Sequence, residues 1–166
     1  MRSRIFLCLS LFVFFASTGS VESKQKPSFE PPETTQGKDG WELYKTQTVY
    51  SKSNVANLKP GQSSPEAALV HFYASLIRKD SAYKQVLPDQ SKLKGRDKKR
   101  LKSKLDKMSR WTFQKVQLLM RKKISDSKFW IKIEMEIEVN GKTDGGKDEA
   151  SVELIDGKWF VTSPPT

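Results

Sequence analysis

From Phe129 to Val139 apolar and polar residues alternate without a break: Phe129, Ile131, Ile133, Met135, Ile137 and Val139 against Trp130, Lys132, Glu134, Glu136 and Glu138. Eleven residues of strict alternation call for a long antiparallel strand with one face buried and the other in water. Upstream, Trp111 and Phe113 share one parity while Val116, Leu118 and Met120 share the other, the mark of a strand interrupted by a β-bulge. Downstream, Asn140-Gly141 and the Gly145-Gly146 region supply turn chemistry. Residues 150–155 read as a further strand, Asp156-Gly157 as a turn, and 158–162 as the returning strand.

Ahead of these strands the period is that of a helix. Ser63 or Ser64 can cap, Pro65 suits a first turn, and Ser63 to Glu66 has capping-box spacing. Leu69, Phe72, Tyr73 and Leu76 then recur as an apolar stripe. A short second helix over 81–87 is closed by Pro88. A third over 97–108 carries Leu101, Leu105 and Met108 on one side. Helices followed by a meander of long strands make an α+β fold.

Arg2 and Arg4, an apolar run over 5–15, and then Ala16, Ser17, Thr18, Gly19 and Ser20 have the layout of a secretory signal peptide over residues 1–20. Cleavage is expected near Thr18–Ser20, with export to the periplasm or the extracellular side. The run is too short to span a bilayer, which takes about 20 apolar residues. Cys8, the single cysteine, lies within this leader, so the remainder has no thiol for disulfide, metal or nucleophile chemistry. Residues 21–60, with Pro27, Pro31, Pro32, Gly37 and Gly40, read as a flexible tether. Within it Trp41, Leu43 and Tyr44 suggest a docked segment, and 46–50 an edge strand. The domain proper is expected over 61–163, with a modest core, since 36% of the residues are apolar.

The stretch Ser64-Pro65-Glu66-Ala67-Ala68-Leu69-Val70-His71-Phe72-Tyr73-Ala74-Ser75-Leu76, followed by Asp80 and by Val86-Leu87-Pro88-Asp89, resembles the opening helices of the NTF2-like superfamily. The likeness is to its small secreted SnoaL/ketosteroid-isomerase-like cone domains. The closing Asp156-Gly157-Lys158-Trp159-Phe160-Val161 is similar to that family's last hairpin. What the resemblance implies is a curved antiparallel sheet packed on N-terminal helices, forming a cone with an apolar pocket. The superfamily holds isomerases, dehydratases and non-catalytic binding modules, so the fold does not choose among them.

Catalytic members place an Asp or His inside the cone. Here the row Phe129 to Val139 has no titratable group. In the closing strands Ala150, Val152 and Leu154 face one way, and Ser151, Glu153 and Ile155 the other, with Glu153 outward. An acid–base mechanism lacks its base, so no catalytic residue is assigned. His71 lies off the apolar stripe and reads as an exposed helix residue. Tyr73 either donates into the pocket or is core with a satisfied hydroxyl. Glu134, Glu136 and Glu138 read as a solvated face rather than a cation site. Phosphate loop, nucleotide fingerprint and zinc spacing are all missing, so no metal and no cofactor is implied. Phe72, Tyr73, Trp111, Phe113, Phe129 and Trp159 are expected to meet inside the cone, lining a pocket or filling it.

The charge is uneven. The chain carries 30 Lys+Arg against 19 Asp+Glu, a net +11, and residues 92–123 alone hold 14 basic residues against Asp97 and Asp106. The whole excess therefore sits on the third helix and the strand after it. Lys98, Lys99 and Arg100 crowd the helix start, where the macrodipole favours acids, and Lys98–Lys102 and Arg100–Lys104 repel at i,i+4. A solvated face, an anionic partner, or the domain's own acidic strands could each offset this. Arg96, Lys98, Lys99, Arg100, Lys102, Lys104, Lys107 and Arg110 are the candidate anion-binding residues. For an exported chain the expected partner is an anionic envelope component, such as a lipid head group, lipopolysaccharide phosphate or acidic glycan, rather than nucleic acid. The reading is thus a non-catalytic binding or accessory module. A small-molecule isomerase or dehydratase is the alternative, and a homodimer through the open sheet face a third possibility.

Overall fold

The computed structural model describes residues 29–164; the expected signal peptide lies outside the described residues. Seven strands and two helices follow in the order β1 (Thr34–Gln36), β2 (Trp41–Tyr44), β3 (Val49–Ser51), α1 (Pro65–Arg78), α2 (Gly95–Met108), β4 (Thr112–Ser125), β5 (Lys128–Val139), β6 (Lys142–Ile155) and β7 (Lys158–Ser163). A 3₁₀ turn, Ala82–Val86, stands between the helices where a short α-helix was expected. The strands form one antiparallel sheet ordered β1-β2-β4-β5-β6-β7, with β3 on the same edge of β4 as β2. The fold is α+β, as the two periodicities imply.

The alternating segment is β5. Ile131, Ile133, Met135 and Ile137 are buried while Glu134 is exposed, so one face of the sheet carries the core. In β4 the register shifts between Phe113 and Lys115 and again between Leu118 and Met120. The first of these bulges keeps Phe113, Val116 and Leu118 all on the buried side despite their change of parity. Asn140-Gly141 and Asp156-Gly157 both have positive φ at each position, 52° and 75°, then 50° and 76°. That is the geometry of two-residue turns matched to strand twist.

Gly145 and Gly146, expected in a turn, are strand residues opposite Glu136 and Met135. The tight Asn140-Gly141 turn starts the ladder at once, and every residue of β5 then finds a partner. A Cβ on Gly145 would come 2.9 Å from the Met135 carbonyl, so the close pairing itself calls for glycine there.

Helix α1 begins at Ser64, whose Oγ accepts from the Ala67 amide at 3.0 Å, with Pro65 in the first turn where its missing N–H costs nothing. It ends at Lys79 in the left-handed region, φ 60°. The helix is buried nearly all round. Leu69, Phe72 and Tyr73 are at most 1% exposed, and so are Ala67, Ala68 and Val70 off their stripe. Burying a large apolar side chain contributes about 1.5–3 kcal/mol, so this helix and the sheet wrapped on it dominate the core.

Two expectations about the front of the chain give way. The helices are not N-terminal, because three strands precede them. Of the expected tether, residues 34–51 form β1, β2 and β3 instead, with β2 at the expected docked segment and β3 overlapping the expected edge strand over 46–50; pairs such as Glu42↔Arg121 and Tyr50↔Val116 tie them into the sheet. Tyr44 on β2 and Tyr50 on β3, 3% and 6% exposed, each bring a ring to the core, and β1 is held through its pairing with β2. Arg78 secures the loop that follows by donating to the Val55 and Leu58 carbonyls, both at 2.9 Å.

Candidate functional site

Helix α2 is anchored by Leu101 and Met108, with Leu105 packed beside them. At 3.6 residues per turn the other side carries Lys99, Lys102 and Asp106 in a row, and Arg110 follows in the turn after the helix. With Ser103 and Lys107 they line a shallow concavity of about 390 Å³. Lys102 pairs with Asp106 at 2.7 Å, both largely exposed, and the Lys107 ammonium lies 5.4 Å from the Trp111 ring centre. Arg96, Lys98 and Arg100 are also exposed. Lys94 occupies the N-cap with no side-chain cap bond, and Asp97 is the single acid in the first turn to offset the helix dipole.

Lys104 departs from this set. It turns to the chain end, donating to the Pro164 carbonyl at 2.7 Å and to Ser163 Oγ at 3.2 Å. Burial lowers its pKa, and Arg100 and Lys107 press the same way against Asp148. It ties α2 to the end of β7, so seven of the eight expected cations remain on the outer surface.

The six expected pocket aromatics divide into two groups. Phe72 meets Tyr73 edge-on at 5.2 Å, Tyr73 meets Phe113 at 5.7 Å, and Phe113 meets Trp111 at 5.9 Å. Phe129 and Trp159 form a separate pair at 5.6 Å. With Phe72, Tyr73 and Phe113 at most 4% exposed, these rings fill the interior. Of the six, Trp111 borders an open cleft of about 370 Å³, floored by Met135, Ile137 and Val139. Bare Gly146, opposite Met135, keeps that floor uncovered.

The inner face does hold titratable groups. Asp148 pairs with Ile133 in β6, on the same face as Ala150 and Val152. The Tyr73 hydroxyl is buried without a hydrogen-bond partner. Burial raises its pKa well above the ordinary value, and the negative charge of Asp148 adds to this. Following the row Ala150, Val152, Leu154 two residues back would have found Asp148; taking Gly145-Gly146 for a turn hid it. His71 is buried rather than exposed, 8% accessible. Its Nδ1 accepts from the Gly61 amide at 3.3 Å, and burial chiefly holds its pKa down.

A second buried polar cluster closes the other end of the core. Glu66, expected as a capping-box residue, is fully buried. It accepts from Arg121 Nη1 at 2.8 Å and from the Tyr44 hydroxyl at 3.1 Å. Arg121 Nε donates to Glu42 at 2.7 Å, and Thr34 donates to the same carboxylate oxygen at 3.0 Å. The Arg121 hydrogen bond foremost keeps the Glu42 pKa low. Burial, reinforced by Glu66, pushes Tyr50 up to about 12. These groups bond to one another across β1, β2, α1 and β4, both contacts to Glu66 falling on Oε1 while its Oε2 is buried without a hydrogen-bond partner.

Glu136 pairs with Lys115 at 2.6 Å and Glu138 accepts from Gln114 at 3.2 Å, so that acidic row has local partners. Among the described residues, no cluster of three or more His, Cys, Asp or Glu gathers as a metal site would need, and no helix is long and apolar enough to cross a membrane.

No protein-family model matches the chain, and no curated protein matches it significantly. Among solved structures it is similar to a SEC-C motif containing protein from Rhodopseudomonas palustris, with TM-score 0.45 and 16% identity over 63% of this chain and 78% of that one. It is also similar to an NTF2-like protein involved in plasmid conjugation, with TM-score 0.40 and 15% identity over 83% of this chain and 48% of that one, about half its length. Both likenesses are too slight to assign a family.

Proposed function

We propose that this chain is an exported, NTF2-like binding module that uses the exposed side of α2 to hold an anionic component of the cell envelope. The observation that carries the reading is the convergence of Lys99, Lys102, Lys107 and Arg110 on one concavity, opposite the buried Leu101 and Met108, with Asp106 as its single acid. Phosphate or carboxylate groups would relieve the repulsion along that face and complement the uncapped, positive start of the helix. The filled interior favours a surface role over a pocket role.

Co-sedimentation with phosphatidylglycerol and with phosphatidylcholine vesicles, across a salt series, tests this. Binding confined to the anionic vesicles and lost as salt shortens the screening length from about 10 Å at 0.1 M to about 3 Å at 1 M is the expected outcome. Soluble alginate as competitor separates an acidic glycan from a lipid head group. The variant Lys99→Glu/Lys102→Glu/Arg110→Glu should abolish binding without change in the far-UV spectrum. Undiminished binding by that variant, or no binding to either anion at low salt, overturns the proposal.

One observation favours the alternative of a small-molecule isomerase or dehydratase: Asp148 acts electrostatically on the Tyr73 phenol. That phenol is only 1% exposed, and a substrate would have to displace core side chains to reach it.

A further inference from the structure

Between the first half of α2 and the outward face of β5, β6 and β7 runs a groove of about 500 Å³, within the usual range of small-ligand sites, about 300–1,000 Å³. Trp130, half-buried on β5, lies in its wall and stacks on no other aromatic ring among the described residues. Around it Arg100, Lys104 and Lys128 face Asp97, Glu149 and Glu153. Three cations against three carboxylates give a balanced lining, unlike the basic far side of the same helix.

Several of these groups are already held in place. Glu153 is fixed by Lys128 at 2.9 Å and by the Thr162 hydroxyl at 3.2 Å, and Lys104 by the chain end. Ser151 Oγ, on the strand beside Trp130, is buried without a partner. Such a hydroxyl needs only a change of rotamer to meet an incoming oxygen.

The lining discriminates among ligand chemistries. A polyanion would meet three carboxylates. An apolar molecule would strand charged groups that need hydrogen-bond partners. A ligand with a flat C–H face for the indole and a rim of groups that both donate and accept matches what is there, and a pyranose ring has that form. We propose that this groove is a saccharide-binding site, the sugar ring lying on Trp130 and its hydroxyls shared between Glu149, Arg100 and Ser151. The site is separate from the anion-binding side of α2 and does not depend on it.

Saturation-transfer NMR on the purified protein with maltotriose, cellotriose and chitotriose tests the assignment. At least one should bind saturably with a Kd on the order of 1 mM or tighter. Trp130→Leu, which keeps an apolar strand residue, should weaken it at least about tenfold. Glu149→Gln, which keeps the side-chain shape, should weaken it while the thermal midpoint stays put. The variant Lys99→Glu/Lys102→Glu/Arg110→Glu should leave saccharide binding intact, so the two sites can fail separately. No saturable binding of any of the three sugars overturns the proposal. So does equal binding by wild type and Trp130→Leu, or a response to glycine betaine with none to sugar.

Discussion

Arg121 donates to the Glu66 carboxylate at 2.8 Å across 55 positions of the chain, and no part of Glu66 is exposed to water. A buried carboxylate whose cation is removed is left uncompensated, which typically costs about 3–5 kcal/mol. Arg121→Met should therefore destabilise the domain by about that much in urea titration, a large share of a usual 5–15 kcal/mol. Adding Glu66→Gln should recover at least about 1 kcal/mol, because the stranded charge is gone. A single-variant cost under about 1 kcal/mol would mean the cluster is solvated.

His71 gives the domain a pH dependence whose sign follows from its burial. Its folded-state pKa lies below the ordinary 6.5, so the unfolded chain takes up a proton first. The contribution is complete above about pH 6.5 and declines as pH falls from there towards the folded-state value. The thermal midpoint should drop between about pH 7 and pH 5.5, and His71→Asn, which can still accept from the Gly61 amide, should flatten that slope. An identical slope in the variant would place the titration elsewhere.

Tyr73 separates core from catalysis. Its hydroxyl is buried with no partner, and a stranded polar group of this kind costs about 1–3 kcal/mol. Tyr73→Phe should hold the melting temperature or raise it, since the edge-on contacts with Phe72 and Phe113 survive. A clear loss of stability would reveal a hydrogen bond made by that hydroxyl, and would revive a role for it alongside Asp148.

Particular residues mark where the chain was legible. The alternation in β5, the parity slip in β4, the Asn140-Gly141 and Asp156-Gly157 turns and the Ser64-Pro65 helix start were all readable, because each is a rule acting over a few neighbours. Gly145-Gly146 misled for the same reason. Two glycines read locally as a turn, while a β5 strand of 12 residues imposed its length on the partner opposite. His71 and Glu66 were misplaced because a stripe of spacing assumes one buried side, and α1 is enclosed on nearly every side.

At the candidate site, the basic character of α2 was plain from composition, and seven of the eight expected cations, Arg110 just beyond the helix among them, are exposed. That Lys104 turns to Pro164, that Asp148 joins the inner face, and that Arg121 bridges Glu42 and Glu66 could not be read, since each links residues far apart in the chain.

By itself the sequence determined the fold class, the buried side of the long strands, the start of α1 and the concentration of charge, all consequences of periodicity and composition. The tertiary structure alone decided which polar groups lie buried together, that the aromatics fill the interior, and that a charge-balanced groove runs beside Trp130. Side-chain partners are chosen by packing across the sheet, where distance in sequence carries no information about distance in space.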